Sequence, residues 1–282
     1  MLRASVRVLD RSDVAAALQV CAQDAVSNVF VAAAVKAHGL DRHSRGEMWG
    51  WYDGGRLTSL CWSGANLVPV QAGPEAIDAF AARARRQGRQ CSSIVGPADA
   101  VHALWARLAN AWGPARDVRA DQPVLALGGP PAVAADPLVR RSEPLETDLV
   151  LPACIAMFTE EVGYSPNQAG GASVYRSQVG ALVASGRSLV RIERTPAGPQ
   201  VVFKAELGSV TDQVVQIQGV WVAPERRGQG LAAPGMAAVV EVIRQQYAPV
   251  ASLYVNSYNT RALAAYHRVG FRQVGTFATV LF

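Results

Sequence analysis

The chain has 282 residues, half of them apolar and 17% charged, with a formal net charge of +5. That composition suits a globular protein with material for one large core or two ordinary ones, and excludes a disordered or fibrous chain. The excess charge is spread over both halves with no basic tail, which argues against nucleic acid as a partner and suits a small polyanion.

In chain order, Val6 to Leu9 predicts a short strand, and Ser12 opens a helix with Asp13 in its first turn. A second helical piece runs from Val29 to Lys36. Met48 to Tyr52 and Leu57 to Trp62 are strand-like, joined by the hairpin signal Asp53-Gly54-Gly55. Pro74 to Arg86 is helical, with proline at the start where its missing N–H costs nothing. Arg83, Arg85, Arg86 and Arg89 read as its solvated face. Ser92 to Val95 is a strand, Asp99 to Trp112 an amphipathic helix, and Pro123 to Leu127 a strand. The Gly- and Pro-rich stretch from Gly128 to Pro137 continues neither helix nor central strand, so the expected domains are 1–130 and 131–282.

The second half repeats the order. Leu138 to Arg141 is a strand; Thr147 to Glu161 and Ala172 to Ser185 are helices. Ser188 to Arg194, Gln200 to Leu207 and Gln213 to Val222 are strands, the first two linked by a turn at Pro196 to Pro199. Gly230 to Tyr247 is a helix, Ala251 to Val255 a strand and Asn259 to Val269 a helix. Arg272 to Leu281 is a terminal strand pair broken near Thr276. Both halves thus read as one α/β (α+β) architecture, a mixed central sheet flanked by helices, with no residue-level repeat.

Cys21, Cys61, Cys91 and Cys154 form no CxxC motif, and His38, His43, His102 and His267 are too scattered for a metal site, so no metal is expected. The first ten residues hold no apolar signal region and no run of 18 apolar residues exists, so a cytoplasmic protein with no membrane partner is the expectation.

The most informative segment runs from Gly219 to Met236. An apolar strand ends at Val222, Pro224 withholds a ladder donor, and two arginines and the pair Gly228, Gly230 precede a helix. The first amides of a helix lack intrahelical partners and carry partial positive charge, so a phosphate is a good occupant. Glycines let the chain turn tightly and the anion approach the amides. The spacing is neither a P-loop nor G-x-G-x-x-G, and a plain tight turn before a surface helix is the alternative.

Arg227-Gly228-Gln229-Gly230-Leu231-Ala232 resembles the Arg/Gln-x-x-Gly-x-Gly/Ala motif of the GNAT N-acetyltransferase superfamily. Downstream, Asn259, Ala262, Tyr266, Gly270 and Phe271 resemble that superfamily's Asn-x-x-Ala-x-x-x-Tyr-x-x-x-Gly-Phe pattern. The resemblance covers roughly residues 138–282. The whole chain is similar to actinobacterial proteins that couple an uncharacterised N-terminal domain to a C-terminal GNAT domain. It implies a tandem of two GNAT-like domains, the first degenerate. At its corresponding turn, Val68 to Glu75, the first half offers one glycine, no arginine and an acid, so it is not expected to bind coenzyme A.

The resemblance implies acetyl-CoA as co-substrate. Its pantetheine arm would lie along the main chain of Val220, Trp221 and Val222, and its pyrophosphate on the amides of Arg227, Gly228, Gln229, Gly230, Leu231 and Ala232, with Arg226 or Arg227 adding a charge-assisted contact. Asn259 is a helix N-cap, a cofactor contact, or both. Tyr266 would protonate the thiolate expelled from the tetrahedral intermediate; the other reading is a buried aromatic in a stripe with Ala262, Leu263 and Val269. Glu206 is the candidate base, an acid unexpected in an apolar strand, although Lys204 on the same face offers a surface ion pair instead. Gln216 and Gln218 stand where some relatives carry a glutamate. Glu160, Glu161 and Tyr164 fall where relatives bind the acceptor, or form a solvated helix end.

The leading functional reading is an acyl-CoA-dependent N-acyltransferase, moving acetyl to the primary amine of a small molecule or peptide, as monomer or homodimer. The rival is a non-catalytic acyl-CoA sensor or interaction module that keeps the fold.

Overall fold

The computed structural model describes residues 5–40, 46–196 and 198–282. His43 and Ala197 of the expected Pro196 to Pro199 turn lie outside them. The chain forms two compact units. The first gathers Met1–Leu125, Tyr254–Asn259 and Gln273–Phe282; the second gathers Ala126–Leu253 and Thr260–Arg272. These units do not coincide with the contiguous stretches 1–130 and 131–282.

In the first unit the strands are β1 (Ser5–Val8), β2 (Glu47–Asp53), β3 (Arg56–Ser63), β4 (Asn66–Val70), β5 (Ser93–Pro97) and β6 (Asp117–Leu127, its last two residues outside the unit), with the terminal β12 (Arg272–Leu281). They lie in the order β1-β2-β3-β4-β5-β12-β6. Alternation along β2 and β3 sends side chains to two faces. Trp49 and Cys61 pack with Ile77, Phe80 and Leu104 of α3 (Pro74–Gln87) and α4 (Ala98–Trp112). Met48, Leu60 and Trp62 pack with Ala17, Val20 and Val31 of α1 (Val14–Cys21) and α2 (Val29–His38).

Strand β4 carries no strand signal in the sequence, because Pro69 cannot donate to a ladder; Pro69 nevertheless stands opposite Cys61 in β3. The terminal segment is one strand rather than a pair broken near Thr276. It pairs with β5 from Phe277↔Pro97 to Leu281↔Ser93, and that ladder outweighs the weak strand preference of Gly275.

The second unit contains β7 (Arg140–Arg141), α5 (Thr147–Val162), α6 (Ala172–Ala184), β8 (Ser188–Thr195), β9 (Gly198–Val210), β10 (Val214–Val222), α7 (Ala232–Gln246), β11 (Val250–Tyr254, its last residue outside the unit) and α8 (Thr260–Val269). The order is β11-β10-β9-β8-β7, with β10 and β11 parallel and the remaining neighbours antiparallel. On one face Val150, Cys154, Val179 and Val183 of α5 and α6 pack with Val190 and Val201. On the other, α7 comes so close to β9 that a Cβ at Gly235 would lie 2.7 Å from the Phe203 ring. Both units are mixed sheets flanked by helices, as the order of elements implied.

Candidate functional site

The site is built from the end of β10. Its parallel ladder with β11 runs from Val214↔Val250 to Gln216↔Ser252. Among the described residues the register goes no further, although β10 continues to Val222. On its other side the ladder with β9 breaks twice, between Gln216 and Ile217 and between Gln218 and Trp221. Gly219 sits in the second break at φ +60°, a conformation glycine adopts without strain. The strand therefore parts from one neighbour and buckles against the other, and Val220, Trp221 and Val222 are half-buried.

Pro224 to Arg226 make a single tight turn, and Arg227 to Gly230 are exposed. Gly228 and Gly230 lie at φ +78° and +80°, and a Cβ on either would meet nothing within 4 Å. Helix α7 then opens behind Leu231, which makes no side-chain cap. The Leu231 carbonyl accepts from Gly235 N–H at 3.0 Å, and Pro234 has no N–H to orphan. An uncapped helix start behind an open, glycine-containing turn is an arrangement that suits an anion.

The two arginines differ. Arg227 Nη2 donates to both Glu160 oxygens at 2.9 and 2.7 Å, and its Nε donates to the Val222 carbonyl at 3.0 Å. Glu160 also accepts from Trp221 Nε1 at 3.2 Å. Arg226 is committed to Glu193 at 2.9 Å; Arg191 bridges Glu193 at 2.5 Å and Asp136 at 2.7 Å. Asp136 N–H in turn donates to the Pro234 carbonyl at 3.0 Å, so this chain of charges ties the tight turn to the start of α7. Gln229 Nε2 donates back to the Glu225 carbonyl.

Behind the strand lies a buried polar group. Lys204 is fully buried, and its Nζ stands 2.7 Å from Glu206 Oε1 and donates to the Gly219 carbonyl at 2.8 Å. Of the two readings open at Glu206, the ion pair with Lys204 is present, and it is buried rather than at the surface. Glu206 Oε1 accepts from Cys154 Sγ at 3.5 Å, and Oε2 from Gln218 Nε2 at 3.4 Å. Burial pushes the Cys154 thiol up to about 12. The Tyr175 hydroxyl donates to the Cys154 carbonyl at 3.0 Å. Cys154, Tyr175 and Gly219 did not stand out in the sequence. A glycine inside an apolar strand is a bulge signal that would have found the last.

Tyr266 on α8 is 7% exposed, with its ring edge-on to Phe271 at 6.1 Å. Burial, with a smaller push from the Glu161 carboxylate, raises its phenol above the ordinary value. Tyr164 is exposed, its ring edge-on to Phe158 at 5.7 Å. Leu231 and Ala232 are half-buried. Asn259 precedes α8 directly and belongs with the first unit, its N–H donating to the Asn256 carbonyl at 2.9 Å.

The first unit has a strand–turn–helix of its own, from β4 through Gln71 to α3. There α3 carries Glu75 in its first turn, a charge that repels phosphate, and no acid stands in the first turn of α7. Among the described residues no group of side chains suits a metal ion, and no helix is long and apolar enough to cross a membrane.

Residues 181–271 match the acetyltransferase (GNAT) family, and residues 46–150 match a domain of unknown function, DUF4081. No curated protein matches. Three solved structures are similar over nearly their whole length and that of this chain. A GCN5-related N-acetyltransferase from Sphaerobacter thermophilus is 17% identical, with 99% of this chain and 95% of that chain covered and a TM-score of 0.61. A tandem GNAT protein from the clavulanic acid biosynthesis pathway is 14% identical, with 99% and 98% covered and a TM-score of 0.57. A GNAT-family acetyltransferase from Colwellia psychrerythraea is 12% identical, with 99% of both chains covered and a TM-score of 0.57. The chain therefore shares the fold of these three proteins, with residues 181–271 similar to the GNAT acetyltransferase family and residues 46–150 to DUF4081.

Proposed function

We propose that this protein is an N-acyltransferase that moves an acetyl group from acetyl-CoA to a primary amine. The observation that carries the reading is the exposed turn Arg227 to Gly230 leading into the uncapped helix start at Leu231 and Ala232, reached from a strand that has parted from its neighbour. Acetyl-CoA, when bound, supplies an acyl group activated as a thioester. The amides of Gly228 to Ala232 hold its diphosphate, and the main chain of Val220 to Val222 orients the pantetheine arm. Arg227 supplies the charge-assisted contact; Arg226, paired with Glu193, acts by bracing the turn.

Tyr266 holds a proton for the departing thiolate, since a phenol is protonated at neutral pH. Glu206 accepts the proton of the amine, directly or through a water. Its Oε1 is held by Lys204, which leaves Oε2, with one long contact from Gln218, to take it. Glu160, Glu161 and Tyr164 border the acceptor side, and Asn259 supports the start of α8. The first unit takes no acyl-CoA, because its helix start is acidic.

Calorimetric titration with acetyl-CoA tests the binding half of this reading, and release of free thiol against an amine panel tests the chemical half. Binding without thiol release from any amine would favour an acyl-CoA sensor. Absence of binding would remove both.

A further inference from the structure

We infer that Lys204 is a positioning residue whose ammonium fixes the bulge of β10 in the shape that receives acyl-CoA. The inference rests on the reading of β10 as the pantetheine strand. A lysine at 0% exposure is unusual, since a buried charge costs several kcal/mol unless it is paired and hydrogen-bonded. A methionine would fill the same space without that cost, so packing alone does not explain it.

Three observations tie Lys204 to the bulge. Its Nζ donates to the carbonyl of Gly219, the residue at φ +60° between the registers Gln218↔Glu206 and Trp221↔Lys204. Glu206, opposite Gln218, balances the charge at 2.7 Å. A Cβ at Gly219 would lie 2.9 Å from Glu206 Oε2 and 3.0 Å from Lys204 Nζ, so the bulge and the ion pair are fitted to each other. A bulge rotates the residues that follow it. Here these are Val220 to Val222, beyond the point where pairing with β11 has ended. Through Gly219 the Lys204 ammonium thus sets the direction of the main chain that follows, where its own backbone stands opposite Trp221.

The test is acetyl-CoA affinity in the full chain, measured by calorimetry beside thermal unfolding. The panel is wild type, Lys204→Met, the double variant Lys204→Met/Glu206→Met, and Gly219→Ala. Lys204→Met strands a buried carboxylate and is expected to unfold at lower temperature. The double variant removes that carboxylate and is expected to recover the melting temperature, because apolar residues of similar size replace buried ion pairs at little cost. Both variants, and Gly219→Ala, are expected to bind acetyl-CoA roughly tenfold more weakly, the scale of one lost charge-assisted hydrogen bond. Wild-type affinity in a folded double variant, or in Gly219→Ala, would overturn the positioning role while leaving the proposed function intact. No binding by the wild-type chain would overturn the function and this inference together.

Discussion

Arg227 and Glu160 face each other across the end of β10, with one guanidinium nitrogen at 2.7 and 2.9 Å from the two carboxylate oxygens. The cation proposed to meet a phosphate is therefore already neutralised by the chain itself. Both side chains are substantially exposed, at 39% and 46%, so the pair is weakened by water and by salt. Glu160→Gln is expected to tighten acetyl-CoA binding by up to about fivefold at low salt, since such pairs are worth about 0.2–1 kcal/mol. Arg227→Ala is expected to weaken it. Titrations at two ionic strengths check both, and weaker binding by Glu160→Gln would show that the carboxylate helps to hold the cofactor.

Tyr266→Phe is expected to lower kcat by roughly 10²-fold, the low end of what a positioned general acid contributes. The dissociation constant for acetyl-CoA should stay near wild type, because the phenyl ring keeps the packing against Phe271. Full turnover in this variant would remove Tyr266 from proton transfer.

At Gly230 two substitutions separate strain from obstruction. The position lies at φ +80° with nothing near an added Cβ, so Gly230→Ala is expected to cost about 1–2 kcal/mol of stability from backbone strain alone. Gly230→Glu is expected to cost a similar amount while abolishing acetyl-CoA binding, since it sets a carboxylate where the diphosphate would rest. Thermal melts and calorimetry on the two proteins give the comparison. Equal affinity in Gly230→Glu and wild type would mean that the turn holds no phosphate.

In the first unit, Asp13 accepts from Arg7 at 2.6 and 2.8 Å and from the Asp10 N–H at 3.0 Å. These bonds, the Arg7 guanidinium first, hold its carboxyl below the ordinary carboxylate value despite burial. A depressed native value means that the stabilisation is complete above the unfolded value, about 3.9, and disappears as pH falls through the lower native one. Asp13→Asn is expected to lose about 1–3 kcal/mol at neutral pH, the scale of hydrogen bonds to charged groups. The difference from wild type should shrink in acid. Denaturant unfolding at several pH values checks this, and a gap that stays constant would mean that the charge of Asp13 does not matter.

The sequence made legible what is local. The turn proposed as a cradle is coded by consecutive residues, and Pro224, Gly228 and Gly230 announce their backbone preferences without outside help. Helices α3 and α4 were legible for the same reason, from apolar periodicity and Pro74. Strand β4 was hidden because Pro69 argues against a ladder until β3 is seen to supply its partner. The ion pair of Lys204 was only half legible. Spacing put Lys204 and Glu206 on one face of β9, but their burial depends on Cys154 of α5 and Gly219 of β10, distant in sequence. The place of β12 in the first unit depends on pairings between Ser93–Pro97 and Phe277–Leu281, which no local pattern can announce.

That last pairing closes the first unit across a long stretch of chain. Its sheet lacks a member until β12 (Arg272–Leu281) takes its place between β5 and β6. Expression of residues 1–130 alone would leave the edges of β5 and β6 bare, a template for unwanted association.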